Sequence, residues 1–227
     1  MRSKHSSEHS HPISVEREMN TGITVLLGFT LLAHAAWAET VPVSARANPW
    51  LAGMTNGSVA RRGDSAPEES PLLVTNTVIT GHATYTFSVS GSVNHGAPLP
   101  FAAPDGEDLA SHFLGAENGI ADVAAPFASL IGVFLGTNSP DQNPAPPPLD
   151  FSSATNRDYL ELAPVLQQPF FIGDGLTSSG AVQQVIAPIG ATRLLLGVMD
   201  GYHWADNEGT FTVEVSKAGK KTEAESR

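Results

Sequence analysis

Two segments of the chain alternate apolar with small polar side chains, and this alternation constrains the fold more than any other feature. The first covers residues 83–90 (ATYTFSVS) and the second covers residues 209–215 (GTFTVEV). Because successive side chains of a strand point to opposite faces of a sheet, each segment predicts a strand with one buried face. The side chains expected on the buried faces are those of Tyr85, Phe87, Val89, Phe211, Val213 and Val215.

Four shorter apolar runs, each bounded by Gly, Pro or Asp, predict strands that are central in a sheet. Glycine and proline occur 21 and 17 times and charged residues form only 15% of the chain, which favours strands joined by turns over exposed helices. We therefore expect an all-β fold, a single antiparallel β-sandwich over residues 39–216. The four runs are Pro71–Val74, Phe127–Leu135, Phe170–Ile172 and Leu194–Met199.

Some segments of the expected sandwich do not read as strands. Residues 48–54 (NPWLAGM) are predicted to brace one end of the sandwich by packing Trp50 and Leu51 against it. The proline-rich residues 138–149 predict a surface connector, and residues 157–166 predict one or two helical turns that Pro164 ends. The polar tail, residues 217–227, is expected to be disordered.

The N-terminal region carries the pattern of a secretion signal. The apolar run Ile23–Leu32 is about ten residues long, whereas a membrane span needs roughly 20. Ala36 and Ala38 supply the small residues that precede a cleavage site, so residues 1–38 are predicted to be removed before Glu39. We expect an exported protein with no transmembrane span after cleavage, in the periplasm, outside the cell or on its surface. Met1 and Met19 are both possible starts of translation.

Composition and motifs exclude several classes of function. With 23 acidic against 12 basic residues, the net charge is −11, which opposes binding to a nucleic-acid backbone. The chain has no cysteine, so it has neither disulfides nor sites that need a thiolate. The sequence also lacks the HExxH, GxSxG, P-loop and GxGxxG motifs, and we expect a protein that is not an enzyme.

The residues between the last two predicted strands are the strongest candidate for a binding site. Residues 199–209 (MDGYHWADNEG) contain three side chains with oxygen ligands, Asp200, Asp206 and Asn207. Calcium takes six to eight oxygen ligands from carboxylates, amides and backbone carbonyls, so this loop suits it, although the spacing is not that of an EF-hand. The alternative is a solvated turn, in which Asp, Asn and Gly are common for backbone reasons.

The context of this loop resembles the C-terminal end of the calcium-dependent galactophilic bacterial lectins of the LecA (PA-IL) type. A strand ends in Asp200, an aromatic-bearing loop follows, and Asp206 and Asn207 precede a strand that reads GTFTVEV. The resemblance is that of a distant relative and covers roughly residues 70–135 and 168–216. The segments that carry it upstream are Ser90–Gly96, Pro104–Glu107, Phe127–Gly136 and Gly180–Met199.

The resemblance implies a lectin or galactose-binding-like sandwich of jelly-roll type with one calcium site. Carried onto this sequence, the side-chain ligands are Asp200, Asp206 and Asn207. The family also uses two backbone carbonyls, which here correspond to His95 and to either His203 or Trp204. Asp206 stands where the family usually has Asn, and this change keeps an oxygen ligand. An insertion, residues 137–168, replaces a short turn of the lectins.

The resemblance also implies that sugar hydroxyls complete the calcium shell. The residues expected to contact a carbohydrate or glycoconjugate are His95, Asp200, Tyr202, Trp204 and Asn207. The rings of Tyr202 and Trp204 suit stacking on a pyranose, and the alternative is that one of them fills the end of the sandwich. The histidine and glutamine that contact sugar in the family have no clear counterpart here, because His112 lies near the expected position but does not align with it. The resemblance therefore does not predict which sugar is bound.

The sequence therefore predicts an exported, non-catalytic, lectin-like protein with a calcium-assisted carbohydrate site. The alternative function is a structural or adhesive envelope protein that uses the same sandwich without a sugar, with residues 137–168 as a protein-binding surface. The oligomeric state does not follow from the sequence.

Overall fold

The structure is a computed structural model that describes residues 38–107, 112 and 114–218. Residues 1–37 of the predicted signal peptide (1–38) and residues 219–227 of the predicted tail (217–227) lie outside the described residues. Ala38 and Lys217 each lie at the end of a strand. Cleavage before Glu39 therefore stays a prediction. In the part of the chain that is described, no helix is long and apolar enough to cross a membrane.

Strands dominate the described residues, and helices are limited to single turns. Residues Ala154–Arg157 form the short helix α1, and 3-10 turns lie at Pro49–Leu51, Arg61–Gly63, Pro140–Gln142 and Trp204–Asp206. The strands are β1 (Ala38–Ser44), β2 (Leu72–Leu73), β3 (Thr84–Val93), β4 (Val123–Ala124), β5 (Leu130–Leu135), β6 (Leu149–Asp150), β7 (Glu161–Leu162), β8 (Phe170–Phe171), β9 (Gln184–Ile186), β10 (Arg193–Val198) and β11 (Gly209–Lys217).

The strands form two larger sheets, and this confirms the predicted all-β sandwich. One sheet has the order β1-β11-β3-β9-β7 and the other has the order β2-β10-β5-β8. Pairing is antiparallel except between β7 and β9 and in the small sheet of β4 and β6. All six predicted strand segments contain an observed strand.

The core lies where the inner faces of the sheets meet, and the predicted alternation is confirmed. On β3 and β11 the predicted inward side chains are buried, except that Val89 is half-buried, and every residue of β5 is buried. Removing this apolar surface from water stabilises the fold by about 25 cal/mol for each Å². The ring of Phe134 on β5 packs between Tyr85 and Phe170, with ring centres 6.0 and 5.3 Å away.

The predicted brace at residues 48–54 is confirmed. The side chain of Asn48 accepts a hydrogen bond from the Trp50 N–H and so caps the 3-10 turn Pro49–Leu51. Both Trp50 and Leu51 are fully buried, and Trp50 Nε1 donates to the carbonyl of Ala121. This turn therefore closes the end of the sandwich near the candidate site.

The predicted helical turns over residues 157–166 are wrong. The helix α1 ends at Arg157, and Glu161–Leu162 instead form strand β7 along the edge of β9. The Gln184 N–H donates to the Leu160 carbonyl at 3.0 Å. Pairing with the open edge of β9 gives backbone N–H and C=O groups of this segment hydrogen-bond partners. A single isolated helical turn would leave most of them without one. The insertion, residues 137–168, thus contributes strand β7 to the larger sheet. Residues 138–149, predicted as a surface connector, are exposed or half-buried except for Pro140.

Candidate functional site

Five of the predicted site residues line one cleft at an end of the sandwich: His95, Asp200, Tyr202, His203 and Asp206. Trp204 and Asn207 are buried and do not line it. The volume of the cleft is about 460 Å³, within the range of small-molecule sites. One wall is the segment after β3, residues 95–99, and the other is the loop between β10 and β11, with Phe127 also lining the cleft. These walls meet because β3 and β11 are antiparallel neighbours, with Val93 opposite Gly209.

Asn94 ties the two walls together. Its N–H donates to the Glu208 carbonyl at 2.9 Å, and its Oδ1 accepts from the Glu208 N–H at 2.8 Å. The same Oδ1 accepts from the Gly96 N–H at 3.3 Å, and the Ala97 N–H donates to the Asp206 carbonyl at 3.4 Å. The backbone around His95 is therefore held beside the loop that carries the predicted ligands.

Asp64 anchors that loop from outside. Its carboxylate accepts the N–H groups of Trp204 and Ala205, both at 3.3 Å, and the Asn48 side-chain amide at 3.2 Å. These bonds cap the 3-10 turn Trp204–Asp206, whose first N–H groups have no partner inside the turn. Burial raises the pKa of Asp64, and the N–H donors from Trp204 and Ala205 oppose that rise.

The two aromatic side chains of the loop differ in their placement. Trp204 fills the end of the sandwich, and Tyr202 faces outward. The Trp204 side chain is 1% exposed, its Nε1 donates to the Val198 carbonyl at 2.7 Å, and its ring centre lies 5.6 Å from that of Trp50. A buried ring cannot stack on a ligand. Tyr202 is 46% exposed and lines the cleft.

Asp200 is a buried carboxylate with one unpaired oxygen. Its side chain is 4% exposed, and Oδ1 accepts from the Gly201 N–H at 2.5 Å and the Tyr202 N–H at 3.4 Å. Its Oδ2 is buried and has no hydrogen-bond partner among the residues that the structure describes. Burial raises the pKa of Asp200 to about 6, opposed by the nearby Asn207 amide, by the two N–H groups and by His95.

Asn207 presents a second unpaired buried oxygen. Its Nδ2 donates to the Ala45 carbonyl at 3.2 Å, and its Oδ1 is buried with no partner in the described part of the chain. Buried side-chain oxygens are ordinarily hydrogen-bonded, and a hard cation would satisfy both of these. Six buried side-chain polar atoms lack partners among the described residues, and three of them belong to His95, Asp200 and Asn207. The Asp200 and Asn207 oxygens are of the kind that calcium takes as ligands, whereas the unpartnered His95 atom is a nitrogen.

The remaining predicted ligands lie around the same cleft. Asp206 is exposed, and a Cβ added at Gly96 would lie 3.8 Å from its Oδ2, so the carboxylate faces residue 96. The carbonyls of His203 and Trp204 each accept one hydrogen bond, from Asp206 and Asn207, so the choice between them stays open. Within residues 38–107, 112 and 114–218 there is no group of three His, Asp or Glu that could hold a metal, so an ion would depend on amide and backbone oxygens as well.

His95 and His203 differ in their surroundings. The His95 ring stacks on Phe127, with ring centres 4.9 Å apart, and its Nδ1 lies 3.9 Å from Glu107 Oε1. His203 is exposed and adopts a positive φ of 65°, which turns the chain from Tyr202 into the 3-10 turn. The rings of Tyr202 and His203 meet edge to face, with centres 4.9 Å apart.

Several residues that build the site carry no local sequence signal. Asp64 is 140 residues before Trp204, and Phe127 lies inside a run that indicates only a strand. His112, which does not align with the sugar-contacting histidine of the lectins, is buried and does not line the cleft. Its ring stacks on Trp50 with ring centres 3.5 Å apart, and its Nδ1 lies 3.1 Å from Asp122 Oδ1. Only the folded chain brings these groups together.

Comparison with known proteins identifies no family and gives only a distant structural likeness. No family model matches the sequence, and no curated protein matches it. Among solved structures, the chain is similar to the N-terminal domain of EclA, described as a PllA-like lectin, with 16% identity and a TM-score of 0.36. That alignment covers 79% of this chain and 95% of the other. A likeness this low carries no argument about ligand or metal, and the β-sandwich assignment rests on the two observed sheets.

Proposed function

We propose that this protein is a non-catalytic, calcium-dependent carbohydrate-binding protein, with its site in the cleft between residues 95–99 and 200–206. The observation that carries the proposal is a pair of buried oxygens, Asp200 Oδ2 and Asn207 Oδ1, that have no hydrogen-bond partner among the described residues. Asp200 lines the cleft together with Asp206. An unsatisfied buried oxygen costs about 1–3 kcal/mol, and a pair of them in one loop indicates a partner from outside the chain.

Three side chains and two carbonyls would hold the ion. Asp200, Asp206 and Asn207 supply side-chain oxygens, and the carbonyl of His95 and that of His203 or Trp204 supply the others. Bound calcium provides positive charge that offsets the burial of the Asp200 carboxylate, and it leaves coordination positions that neutral hydroxyl oxygens can occupy.

The cleft also offers an apolar surface for a sugar ring. The exposed side chains of Tyr202 and Leu99 line it, together with Pro98 and the ring of Phe127. Aromatic and aliphatic faces pack on the apolar face of a pyranose, while hydroxyl groups need polar partners at the ring edge. A vicinal pair of hydroxyls at the ion and a ring face on Tyr202 would use both features of the cleft.

A glycan array tests this function. We expect the labelled protein to bind a subset of glycans in calcium and to lose all of them in chelator or as the Asp206→Ala variant. The Asp141→Ala variant is the matched control, because Asp141 is an exposed carboxylate bonded only to its neighbour Ser139. Glycan binding that persists in chelator contradicts the proposal. Stabilisation by calcium without any glycan binding favours the structural or adhesive envelope protein instead.

Export is part of the same proposal, since the apolar run and the Ala36–Ala38 motif support a cleaved signal. N-terminal sequencing of the protein recovered outside the cytoplasm should then begin at Glu39. Recovery of an uncleaved chain from the cytoplasm would contradict export.

A further inference from the structure

Arg62 is the one lysine or arginine of the described residues whose charged group has no oxygen partner. The other five all donate to carboxylate, hydroxyl or carbonyl oxygens. Arg46 pairs with the Glu69 carboxylate, and Lys217 donates to the Thr80 hydroxyl and the Val78 carbonyl. The other three arginines donate to backbone carbonyls: Arg61 to that of Leu114, Arg157 to those of Phe151 and Ser152, and Arg193 to those of Gly136 and Asn138.

The Arg62 guanidinium instead lies over the ring of Tyr202, 5.6 Å from its centre. A cation–π contact uses the face of the guanidinium and leaves its five N–H donors free to bind oxygen acceptors. Tyr202 lines the candidate sugar cleft, whereas Arg62 is exposed and does not line it. We call the position of Arg62, over the Tyr202 ring, the rim of the cleft.

The segment that carries Arg62 is fixed on both sides. The Arg61 N–H donates to Glu117 Oε2 at 2.6 Å, and Asp64 is bound to Asn48 and to the loop at Trp204. Arg62 itself has a φ of 72° between them. The backbone that carries this positive charge is thus held in place next to Tyr202.

Charge around the cleft determines what such a cation can recognise. Asp200 and Asp206 line the cleft with two carboxylates, whose charge one calcium ion would balance, and Glu107 Oε1 lies 3.9 Å from His95 Nδ1. In a chain of net charge −11, Arg62 is then the group at the rim that attracts an anion. A guanidinium binds carboxylate and sulfate through paired N–H donors.

We propose that the ligand of this cleft is an acidic saccharide whose carboxylate or sulfate group binds Arg62 while its hydroxyls face Asp200 and Asp206. This inference rests on the proposed function and adds the chemical class of the sugar. Anion binding at Arg62 would supply selectivity that the calcium site lacks, because hydroxyl pairs occur on most sugars.

Calorimetric titration with matched sugar pairs tests the inference. The probes are galactose and galacturonate, glucose and glucuronate, and mannose and mannuronate, all in calcium, with galactose 6-sulfate to separate sulfate from carboxylate. For the pair whose hydroxyls fit, we expect the acidic member to bind about 5–10-fold more tightly, which is about 1–1.4 kcal/mol. The preference should shrink between about 20 and 200 mM salt, because screening weakens exposed charge pairs.

The Arg62→Gln variant should lose this preference and keep the affinity for the neutral member. Comparing variants cancels the binding of free calcium by uronates, since that is the same in every sample. Lys217→Gln is the control, because it removes the same charge at the opposite end of β11. Equal affinity for acidic and neutral sugars, or a preference that survives in Arg62→Gln, overturns the inference and leaves calcium-dependent sugar binding standing. Binding of no sugar at all overturns both.

Discussion

At the scale of single residues, Asp200 is the clearest sign that the site is built for a ligand. Burial opposes its ionised form, and the Asn207 amide and the N–H groups of Gly201 and Tyr202 offset this only in part. Its Oδ2 makes no hydrogen bond with the described residues. A carboxylate kept in such a place lowers the stability of the ligand-free protein. This is expected of a functional group and not of a residue selected for packing.

The Asp200→Asn variant should therefore be more stable than the wild type in chelator at pH 7, by roughly 1–3 kcal/mol. The pKa of Asp200 rises from an ordinary 3.8 to about 6 in the folded chain, so its penalty is fully present above pH 6. That penalty disappears as the pH falls below 3.8, and the two proteins should converge near pH 3.5. Urea unfolding at both pH values measures the difference. A variant less stable than wild type at pH 7 would show that the carboxylate is structural.

At the scale of elements, the loop between β10 and β11 is positioned by segments distant in the chain. Asp64 holds its 3-10 turn, and Asn94 joins it to the end of β3. The strands provide a fixed frame because β3 and β11 pair over nine residue positions. A site on such a frame keeps its oxygens in place before a ligand arrives, which lowers the cost of binding.

Replacing Asp64 by Ala tests this positioning. It leaves the N–H groups of Trp204 and Ala205 and the Asn48 amide without their acceptor, so we expect unfolding to become easier by about 2–4 kcal/mol. Calcium affinity should fall about tenfold or more, although Asp64 is not a predicted ligand. Calorimetry and urea unfolding measure the two effects. In the control Asp158→Ala, an exposed carboxylate loses its bonds to Ser178, and calcium affinity should not change. Wild-type affinity in Asp64→Ala would mean that the loop positions itself.

At the scale of the whole molecule, the features that could be predicted from the sequence are those set by residues close together in the chain. Alternation over 83–90 and 209–215 depends only on local geometry, so the strands and their buried faces could be predicted. The same holds for Asp200, Asp206 and Asn207, which share one loop. Strand β7 could not be predicted, because pairing with the edge of β9 outweighs a weak helical pattern.

The parts of the site that escaped prediction are those brought in by the tertiary fold. Asp64 and Arg62 precede the loop by some 140 residues and belong to a segment with only turn-like composition. Phe127 lies in the apolar run just before β5 and lines the cleft. Nothing in that run distinguishes Phe127 from the residues that fill the core. Long-range contacts of this kind leave no periodicity in one sequence.

Calorimetric titration of calcium into the chelator-treated protein tests the central claim most directly. We predict one site per chain with a dissociation constant of about 10⁻⁶ M, within the range of protein calcium sites, and an increase in Tm in excess calcium. The same titration of Asp200→Asn should show no binding. Absence of binding to the wild type at about 1 mM calcium, or unchanged binding in the variant, would contradict a calcium site in this loop.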